Sequence, residues 1–272
     1  MKYANATKDT WRGWAWNQIE SRIGRSKHYA PKTVCVLAGD CAGDLPHAKK
    51  RGFECVGVDI NENCVKTFRE SGGIAVNGSL HFQAVAIQPD AVIADMLGGL
   101  TPKNLSVLID CSVASKAVVI NLLRGRDKGM RRFPEICKTA DYSTGRKKDI
   151  QVGNHRGCAI VMLLAQSCAR DFGSEENLDN GFTYIPQWIV QKFKPCFYSY
   201  KSKDGNQWFD SVAITTAWLG ANMEMRDIAK ETVPKKQLQR AAAVKALITT
   251  RRNNARKRSN QPAALQAASK RS

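Results

Sequence analysis

The chain has 272 residues and a formal net charge of +18 at pH 7, from 42 Lys and Arg against 24 Asp and Glu. This length suits one α/β domain with extensions, and the 43% share of hydrophobic residues is ordinary for a globular protein. The sequence has no run of about 18 uncharged apolar residues, which argues against a membrane span. Its N-terminal residues are charged and rich in Trp, unlike a signal peptide, so we expect a cytoplasmic protein with no membrane partner.

Nine cysteines are scattered along the chain without the close spacing of a zinc site, and the four histidines do not cluster with them. Cys35, Cys55, Cys111 and Cys158 lie in or beside apolar runs. We therefore predict buried, reduced thiols and no metal.

Residues 9–24 have the pattern of an amphipathic helix. Trp11, Ala15, Ile19 and Ile23 repeat every four residues, with Trp14 beside them. This pattern predicts a helix that packs against the main body. The alternative is an aromatic surface on which nucleic-acid bases stack.

Short apolar runs alternate with helical patterns from residue 33 onward. The predicted strands are 33–39, 53–60, 74–79, 90–96 and 116–123, and the predicted helices include 44–52, 61–73 and 101–115. Strands that alternate with helices imply parallel pairing through right-handed crossovers. The fold class is therefore α/β, with a doubly wound, mostly parallel sheet.

The predicted sheet ends in an antiparallel hairpin. The aromatic, alternating runs 196–202 and 207–215 flank an Asp204-Gly205 pair, which is a strong hairpin signal. Before them lie a basic, irregular segment over 124–153 and an apolar helix over 155–172.

The C-terminal residues 235–272 hold eleven of the Lys and Arg and no Asp or Glu. A basic tail of this kind favours a polyanionic partner, most commonly nucleic acid. A solvated tail that only maintains solubility is the alternative. We expect a helix over 235–258, and divide the chain into an N-terminal extension (1–30), a central domain (31–220) and a basic tail (221–272).

The first predicted strand leads into the loop LAGDCAGD, residues 37–44. Gly39 and Gly43 would let the backbone approach a ligand closely. Asp59 follows Gly39 by twenty residues, at the tip of the second strand, where an acid can accept hydrogen bonds from ribose hydroxyls. Asp59 could instead cap the next helix, while Asp40 and Asp44 could serve the turn and the cap of helix 44–52.

Two carboxylates in this loop would repel a pyrophosphate, which argues against NAD or ATP. A cofactor with a cationic centre and no phosphate fits better, and S-adenosylmethionine has this character. Residues 33–215, with five alternating strands and a closing hairpin, resemble the class I (Rossmann-like) S-adenosylmethionine-dependent methyltransferases. The segment ADMLGGLTP is also similar to strand-four segments of divergent phage-encoded methyltransferase-like proteins.

The resemblance implies S-adenosylmethionine as cofactor and assigns its contacts by position. Gly39, Asp40 and Gly43 would line the methionine portion. Asp59 would bind the ribose, and Ile60 would pack under the adenine.

Two further positions follow from the same resemblance. Asn77, or its neighbour Gly78, would lie near the adenine ring. Asp95, at the end of strand four, would point into the cleft, where it could act as a base, orient an amine, or merely cap the next segment.

The chain departs from the family pattern in its motifs. The glycine loop has no GxG core, and strand four lacks both the Pro-Pro-Tyr motif of base amino-methyltransferases and the Pro-Cys pair of cytosine C5 enzymes. The sequence therefore does not support those two chemistries by their own motifs.

Basic residues that follow strand five, on the rim that holds the cofactor loop, could steer a nucleic-acid backbone, although a solvated loop would look the same. With the tail, the candidate nucleic-acid-binding residues are Arg124, Arg126, Arg131, Arg132, Arg146, Lys147, Lys148, Arg251, Arg252, Arg256, Lys257 and Arg258.

Three functions compete on this reading. The first is a methyltransferase that acts on nucleic acid or on a nucleic-acid-associated substrate. The second is a non-catalytic nucleic-acid-binding protein that retains a degenerate methyltransferase-like fold. The third, a dinucleotide-dependent oxidoreductase, is disfavoured by the acidic loop and the terminal hairpin.

Overall fold

The computed structural model describes residues 8–27, 30–37, 43–95, 102–124, 149–151, 161, 164, 184–202, 207–219, 227 and 229–259. The predicted basic segment over 124–153 and the predicted helix over 155–172 lie almost wholly outside the described residues. So do Gly39, Asp40, Cys158 and the basic residues Arg126, Arg131, Arg132, Arg146, Lys147 and Lys148.

A seven-stranded sheet with the order β3-β2-β1-β4-β5-β9-β8 forms the centre of the molecule. Its strands are β1 (Thr33–Leu37), β2 (Glu54–Asp59), β3 (Ile74–Asn77), β4 (Ala91–Ala94), β5 (Ala117–Arg124), β8 (Cys196–Lys201) and β9 (Trp208–Thr215). The first five are parallel, whereas β9 is antiparallel to β5 and β8 is antiparallel to β9. The predicted fold class, including the closing hairpin, is confirmed. A separate two-stranded sheet pairs β6 (Asp149–Gln151) with β7 (Tyr184–Pro186).

Helices cover both faces of the seven-stranded sheet. They are α1 (Lys8–Ile23), α2 (Asp44–Lys50), α3 (Glu62–Glu70), α4 (Leu80–Ile87), α5 (Pro102–Ala114), α6 (Gln187–Phe193) and α7 (Lys235–Ser259). Side chains from α1, α2 and α3 share one hydrophobic core, and side chains from α4, α5 and α7 share another. The strands between them are continuous apolar runs because both of their faces are buried.

Helix α1 packs its tryptophans into the protein. Trp11, Ala15, Trp16 and Ile19 are fully buried. Trp14 stacks on Tyr198 of the hairpin, with ring centroids 5.0 Å apart. The predicted packing helix is confirmed, and burial makes Trp11 and Trp16 inaccessible to nucleic-acid bases.

Helix α7 is docked along the sheet. Its apolar side chains Ala241, Val244 and Ile248 enter the core shared with α4 and α5. Arg240 Nη1 donates to the Asn77 carbonyl, where β3 ends (2.8 Å), while Arg252 Nη2 donates to Thr33 Oγ1, where β1 begins (2.9 Å). The helix therefore runs antiparallel to the strands, from the carboxyl edge of the sheet to its amino edge.

The described cysteines include three that are fully enclosed. Cys35, Cys55 and Cys111 are free thiols in the core, as predicted. Burial raises the pKa of Cys35 to about 12, so this thiol stays protonated at neutral pH. In the described part of the chain, no helix combines the length and the apolarity that crossing a membrane requires.

Candidate functional site

The carboxyl ends of β2 and β3 bring three of the predicted residues together. Asp59 and Asn77 are register partners in the parallel pair. Asn77 Nδ2 donates to the carbonyls of Ile60 (2.8 Å) and Asp59 (3.2 Å), and the Gly78 amide donates to the Asp59 carbonyl (2.8 Å). These bonds to backbone carbonyls fix the geometry of the edge at the place where ligands of doubly wound sheets bind. The cofactor roles of the three residues stay predictions.

Asp59 takes part in the turn that follows it. Its Oδ1 accepts a hydrogen bond from the Asn61 amide (2.8 Å), and Asn61 in turn caps α3 by accepting from the Asn63 amide (3.0 Å). Asn61 is therefore the cap of α3, whereas Asp59 bonds the amide of the cap residue itself, so the alternative role of Asp59 as the helix cap was wrong. A carboxylate has about four acceptor positions, so Asp59 retains capacity for a ribose hydroxyl.

Ile60 projects from the same edge with 77% of its surface exposed. An isolated apolar side chain on a surface is ordinary in itself. Ile60 directly follows Asp59 at the end of a strand, so its apolar side chain is placed where it could pack on the flat face of an adenine.

Asp95 follows the end of β4 and is engaged through both carboxylate oxygens. Oδ1 accepts from Asn121 Nδ2 (2.7 Å), and Oδ2 forms an ion pair with Lys8 Nζ of α1 (3.0 Å). Only 12% of its side chain is exposed. The carboxylate is therefore held in one orientation by β5 and α1.

A buried chain of hydrogen bonds continues behind Asp95. Asn121 Nδ2 also donates to the Tyr200 hydroxyl (2.8 Å), and Asn121 Oδ1 accepts from Ser211 Oγ (2.7 Å). Trp11 Nε1 donates to the same Ser211 oxygen (2.8 Å). Burial, reinforced by the charge of Asp95, raises the pKa of Tyr200. Because these groups are desolvated, the loss of any one hydrogen-bond partner would lower the free energy of unfolding.

A second acid, Asp44, lies beside Asp95 at the start of α2. It is 6% exposed; its Oδ1 accepts from Trp16 Nε1 (2.7 Å), and Arg12 Nε lies 3.8 Å from its Oδ2. Burial raises the pKa of Asp44, while the Trp16 bond and the Arg12 charge oppose that rise. The cap position of α2 is occupied by Gly43 without a side-chain cap, so the alternative role of Asp44 as a cap was wrong.

Gly43 has a packing reason to be glycine. A Cβ atom at this position would collide with the guanidinium of Arg12. The missing side chain therefore makes room for the arginine that approaches Asp44. A cofactor contact by Gly43 stays a prediction.

The basic tail residues lie at the other end of the sheet from Asp59. Arg251 Nη1 pairs with Glu54 Oε1 at the start of β2 (2.9 Å), and Arg252 bonds Thr33 as described above. The exposed residues Arg256, Lys257 and Arg258 belong to the last turns of α7, beyond that amino edge. Arg124 ends β5, and its side chain lies outside the described residues.

Sequence reasoning missed the residues around the two acids. Trp16 and Arg12 contact Asp44, and Lys8 and Asn121 contact Asp95. Tyr200 and Ser211 contact Asn121 behind Asp95. Asn121 carried a usable signal, because it is the lone polar residue within the apolar run AVVINLL of β5. The others belong to elements distant in sequence, and nothing local marks them. Among the described residues, no three His, Cys, Asp or Glu side chains group as a metal site.

No protein-family model matches the chain, and a comparison with curated proteins found no match. Three similar solved structures are the PH0226 protein from Pyrococcus horikoshii OT3, a 1,6-didemethyltoxoflavin-N1-methyltransferase from Burkholderia thailandensis bound to 1,6-didemethyltoxoflavin and S-adenosylhomocysteine, and the human methyltransferase 10 domain containing protein. Their identities are 17%, 9% and 11%, and their TM-scores are 0.38, 0.38 and 0.42. The matches cover 77%, 77% and 75% of this chain and 94%, 79% and 82% of those chains. At such identities and scores, the likeness assigns no residue a role.

Proposed function

We propose that this protein is an S-adenosylmethionine-dependent methyltransferase that acts on nucleic acid or a nucleic-acid-associated substrate. The observation that carries the proposal is the grouping of Asp59, Ile60 and Asn77 at the carboxyl edge. The sheet is doubly wound and closes with an antiparallel hairpin. An acceptor for ribose hydroxyls and an exposed apolar side chain thus stand side by side where a nucleoside would bind.

Methyl transfer requires the protein mainly to align the reacting groups. The bound cofactor would supply a methyl group on a positively charged sulfur. Asp59 would accept hydrogen bonds from the ribose, and Ile60 would cover one face of the adenine. Asp95, whose orientation is set by Lys8 and Asn121, would accept a hydrogen bond from an amine of the substrate and so position its nitrogen.

The nucleic-acid part of the proposal rests on charge. Helix α7 contains no Asp or Glu, and the chain as a whole carries +18. A surface of this charge attracts polyanions over long distances. The second candidate is a nucleic-acid-binding protein without catalysis, which is favoured by the missing GxG core and by the ion pair that Lys8 makes with Asp95.

Cofactor binding is the first test, by calorimetry with S-adenosylmethionine and S-adenosylhomocysteine. Asp59→Asn keeps an oxygen acceptor for the Asn61 amide but removes the carboxylate charge and acceptor capacity, so we expect at least about tenfold weaker binding. Glu70→Gln, an exposed acid at the far end of α3, is the matched control and should bind as wild type. The absence of any binding heat with the wild-type protein would overturn the enzyme proposal and favour the second candidate.

Transfer is the second test, with a tritium-labelled methyl group and random-sequence DNA and RNA oligonucleotides as acceptors. Asp95→Asn should lower the transfer rate by about 100-fold, because orientation of the nucleophile is lost, while the cofactor affinity changes less than about threefold. A methyl-transfer rate in Asp95→Asn equal to that of the wild type would show that Asp95 takes no part in catalysis. Cofactor binding without transfer to either acceptor would contradict the proposed substrate class.

A further inference from the structure

A groove of about 440 Å³ runs along the outer edge of β3, between α3 and α7. We call it the edge groove. Asn77 and Arg240 line its end at the carboxyl edge of the sheet, and Arg69 and Arg251 line its end at the amino edge. The groove therefore runs from the proposed cofactor edge toward the basic end of α7 and ends at Arg251.

The walls of the edge groove are apolar and partly solvent-exposed. Val76 and Val244 are buried beneath it, while Leu247 on α7 is 54% exposed. Leu247 is one of three large apolar residues that stand exposed in the described part of the chain, and Leu238 on the same helix is another, outside the groove lining.

The edge of β3 cannot accept another β-strand in its present form. The Ala75 carbonyl accepts hydrogen bonds from Arg69 Nε (3.1 Å) and Nη2 (2.8 Å), and the Asn77 carbonyl accepts from Arg240 Nη1 (2.8 Å). Added strands need those outward carbonyls for their own amides. A protein partner that binds by strand addition is thereby disfavoured, and the blocking groups are cations.

The charge of the groove points to a polyanion. Three arginines line it, Arg69, Arg240 and Arg251, against one lining acid, Glu62. A guanidinium has five N–H donors, so Arg69 and Arg240 keep donors beyond those that bond the β3 carbonyls. Guanidinium planes and aliphatic walls together suit phosphates and base faces.

We propose that the edge groove binds one strand of nucleic acid and leads it from the cofactor edge to the basic end of α7. This inference rests on the proposed function and specifies how its substrate is held. The pocket volume is in the range of small-ligand sites, which suits single nucleotides of one strand rather than a duplex. DNA and RNA strands share the phosphate and base chemistry on which the argument depends.

Matched pairs of exposed positions on α7 test the groove directly. Ala243→Glu and Leu247→Glu place a negative charge in its wall, whereas Ala242→Glu and Leu238→Glu place the same charge on α7 outside the lining. All four leave Arg69 and Arg240, which bond the β3 carbonyls, in place. Binding is measured by fluorescence anisotropy with fluorescein-labelled 20-nucleotide single strands of mixed-sequence DNA and RNA. Circular dichroism checks that each variant is folded.

We expect the two groove variants to bind the strands at least about tenfold more weakly than wild type, and the two controls to lose less than about threefold. Equal losses in both pairs would mean that only total charge matters and would overturn the groove. The proposal would also be overturned if the wild-type protein bound neither the DNA nor the RNA strand. It would likewise be overturned if a duplex bound the wild type as tightly as a single strand and the four variants changed duplex binding in the same way. Calorimetry with S-adenosylmethionine on the same proteins tests the methyltransferase proposal separately. Cofactor binding without strand binding in the groove would contradict only the groove proposal.

Strand length gives a second readout. From Arg240 to Arg256, α7 rises about 24 Å, at about 1.5 Å per residue. A strand that keeps the stacked rise of about 3.4 Å per nucleotide needs about seven nucleotides to cover that distance, and a more extended strand needs fewer. Wild-type affinity should therefore climb with oligonucleotide length and level off at no more than about seven nucleotides, while Leu247→Glu should flatten the climb. A climb that is unchanged in Leu247→Glu would contradict the proposed path.

Discussion

The carboxyl edge of the sheet has two regions built in opposite ways. One, which we call the rim, comprises Asp59, Ile60 and Asn77 at the ends of β2 and β3. Its contacts run to backbone groups, and Ile60 faces solvent. The other, which we call the acid cluster, is centred on Asp44 and Asp95 beneath α1. Its contacts join side chain to side chain in a desolvated interior.

This difference separates binding from stability. On the rim, the side chains of Asp59 and Asn77 bond nearby backbone groups at a partly exposed edge, so Ile60 and the remaining acceptor positions of Asp59 stay available to a ligand. In the acid cluster, the buried side chains stabilise the fold, because each polar group has its hydrogen bonds satisfied by a neighbouring side chain. Substitutions on the rim should therefore change cofactor affinity, and substitutions in the cluster should change the free energy of unfolding, in addition to the lower transfer rate expected for Asp95→Asn.

The largest expected effect compares two asparagines, one from each region. Asn121→Ala strips hydrogen bonds from Asp95, Tyr200 and Ser211 in the core and should cost about 3 kcal/mol of unfolding free energy. Asn77→Ala removes two bonds to partly exposed carbonyls and should cost about 1 kcal/mol. Urea denaturation followed by circular dichroism measures both values. Equal losses of unfolding free energy in the two variants would contradict the distinction between the rim and the acid cluster.

The sheet was predictable because its signals are local. Each parallel strand is a short apolar run, and the Asp204-Gly205 pair marks the hairpin. The bounds of α4 were not predicted, since LHFQAVAI is apolar nearly all round and lacks the periodicity of a surface helix. The tail was predicted as a helix, but its docking through Ala241, Val244 and Ile248 was not, because the exposed positions between them include Ala242, Ala243, Ala246 and Leu247, which are also apolar and obscure the buried face.

The site was predictable only where it follows strand ends. Asp59 and Asn77 meet because the carboxyl ends of parallel neighbours share an edge, which a sequence reveals once its strands are placed. The acid cluster needs α1 to fold back over β4 and β5. Trp11 meets Ser211 across 200 residues, and no sequence pattern specifies such a pairing.

The next effect tests the buried charge of the acid cluster through pH. Because burial raises the pKa of Asp44, the folded state holds this proton more tightly than the unfolded chain does. Stability is then fully present below the ordinary carboxyl pKa and is lost as pH rises through the raised value. Asp44→Asn removes this loss, so its unfolding free energy relative to wild type should increase as pH rises above the ordinary Asp pKa of about 3.9 and level off once pH passes the raised pKa.

The same variant provides its own reference at low pH. Below the ordinary carboxyl pKa, Asp44 is uncharged in both states of the wild type, so any difference there reports the changed contacts with Trp16 and Arg12. Urea midpoints at half-unit steps of pH give the slope. A difference that stays constant would show that Trp16 and Arg12 offset the burial, and one that moves in favour of wild type as pH rises would show that they outweigh it.

The smallest effect on stability is expected on the rim. Ile60→Ser removes an apolar side chain that is 77% exposed, so the free energy of unfolding should move by less than about 0.5 kcal/mol. If Ile60 covers the adenine, its loss should nevertheless weaken S-adenosylmethionine binding by about 1 kcal/mol, which is roughly fivefold. Leu238→Ser, at 44% exposure on α7, is the control that should change neither quantity. Calorimetry and urea denaturation on the two variants decide the matter: an unchanged affinity in Ile60→Ser would reduce Ile60 to an ordinary surface residue, whereas a selective loss would show that the rim keeps an apolar side chain in water for its ligand.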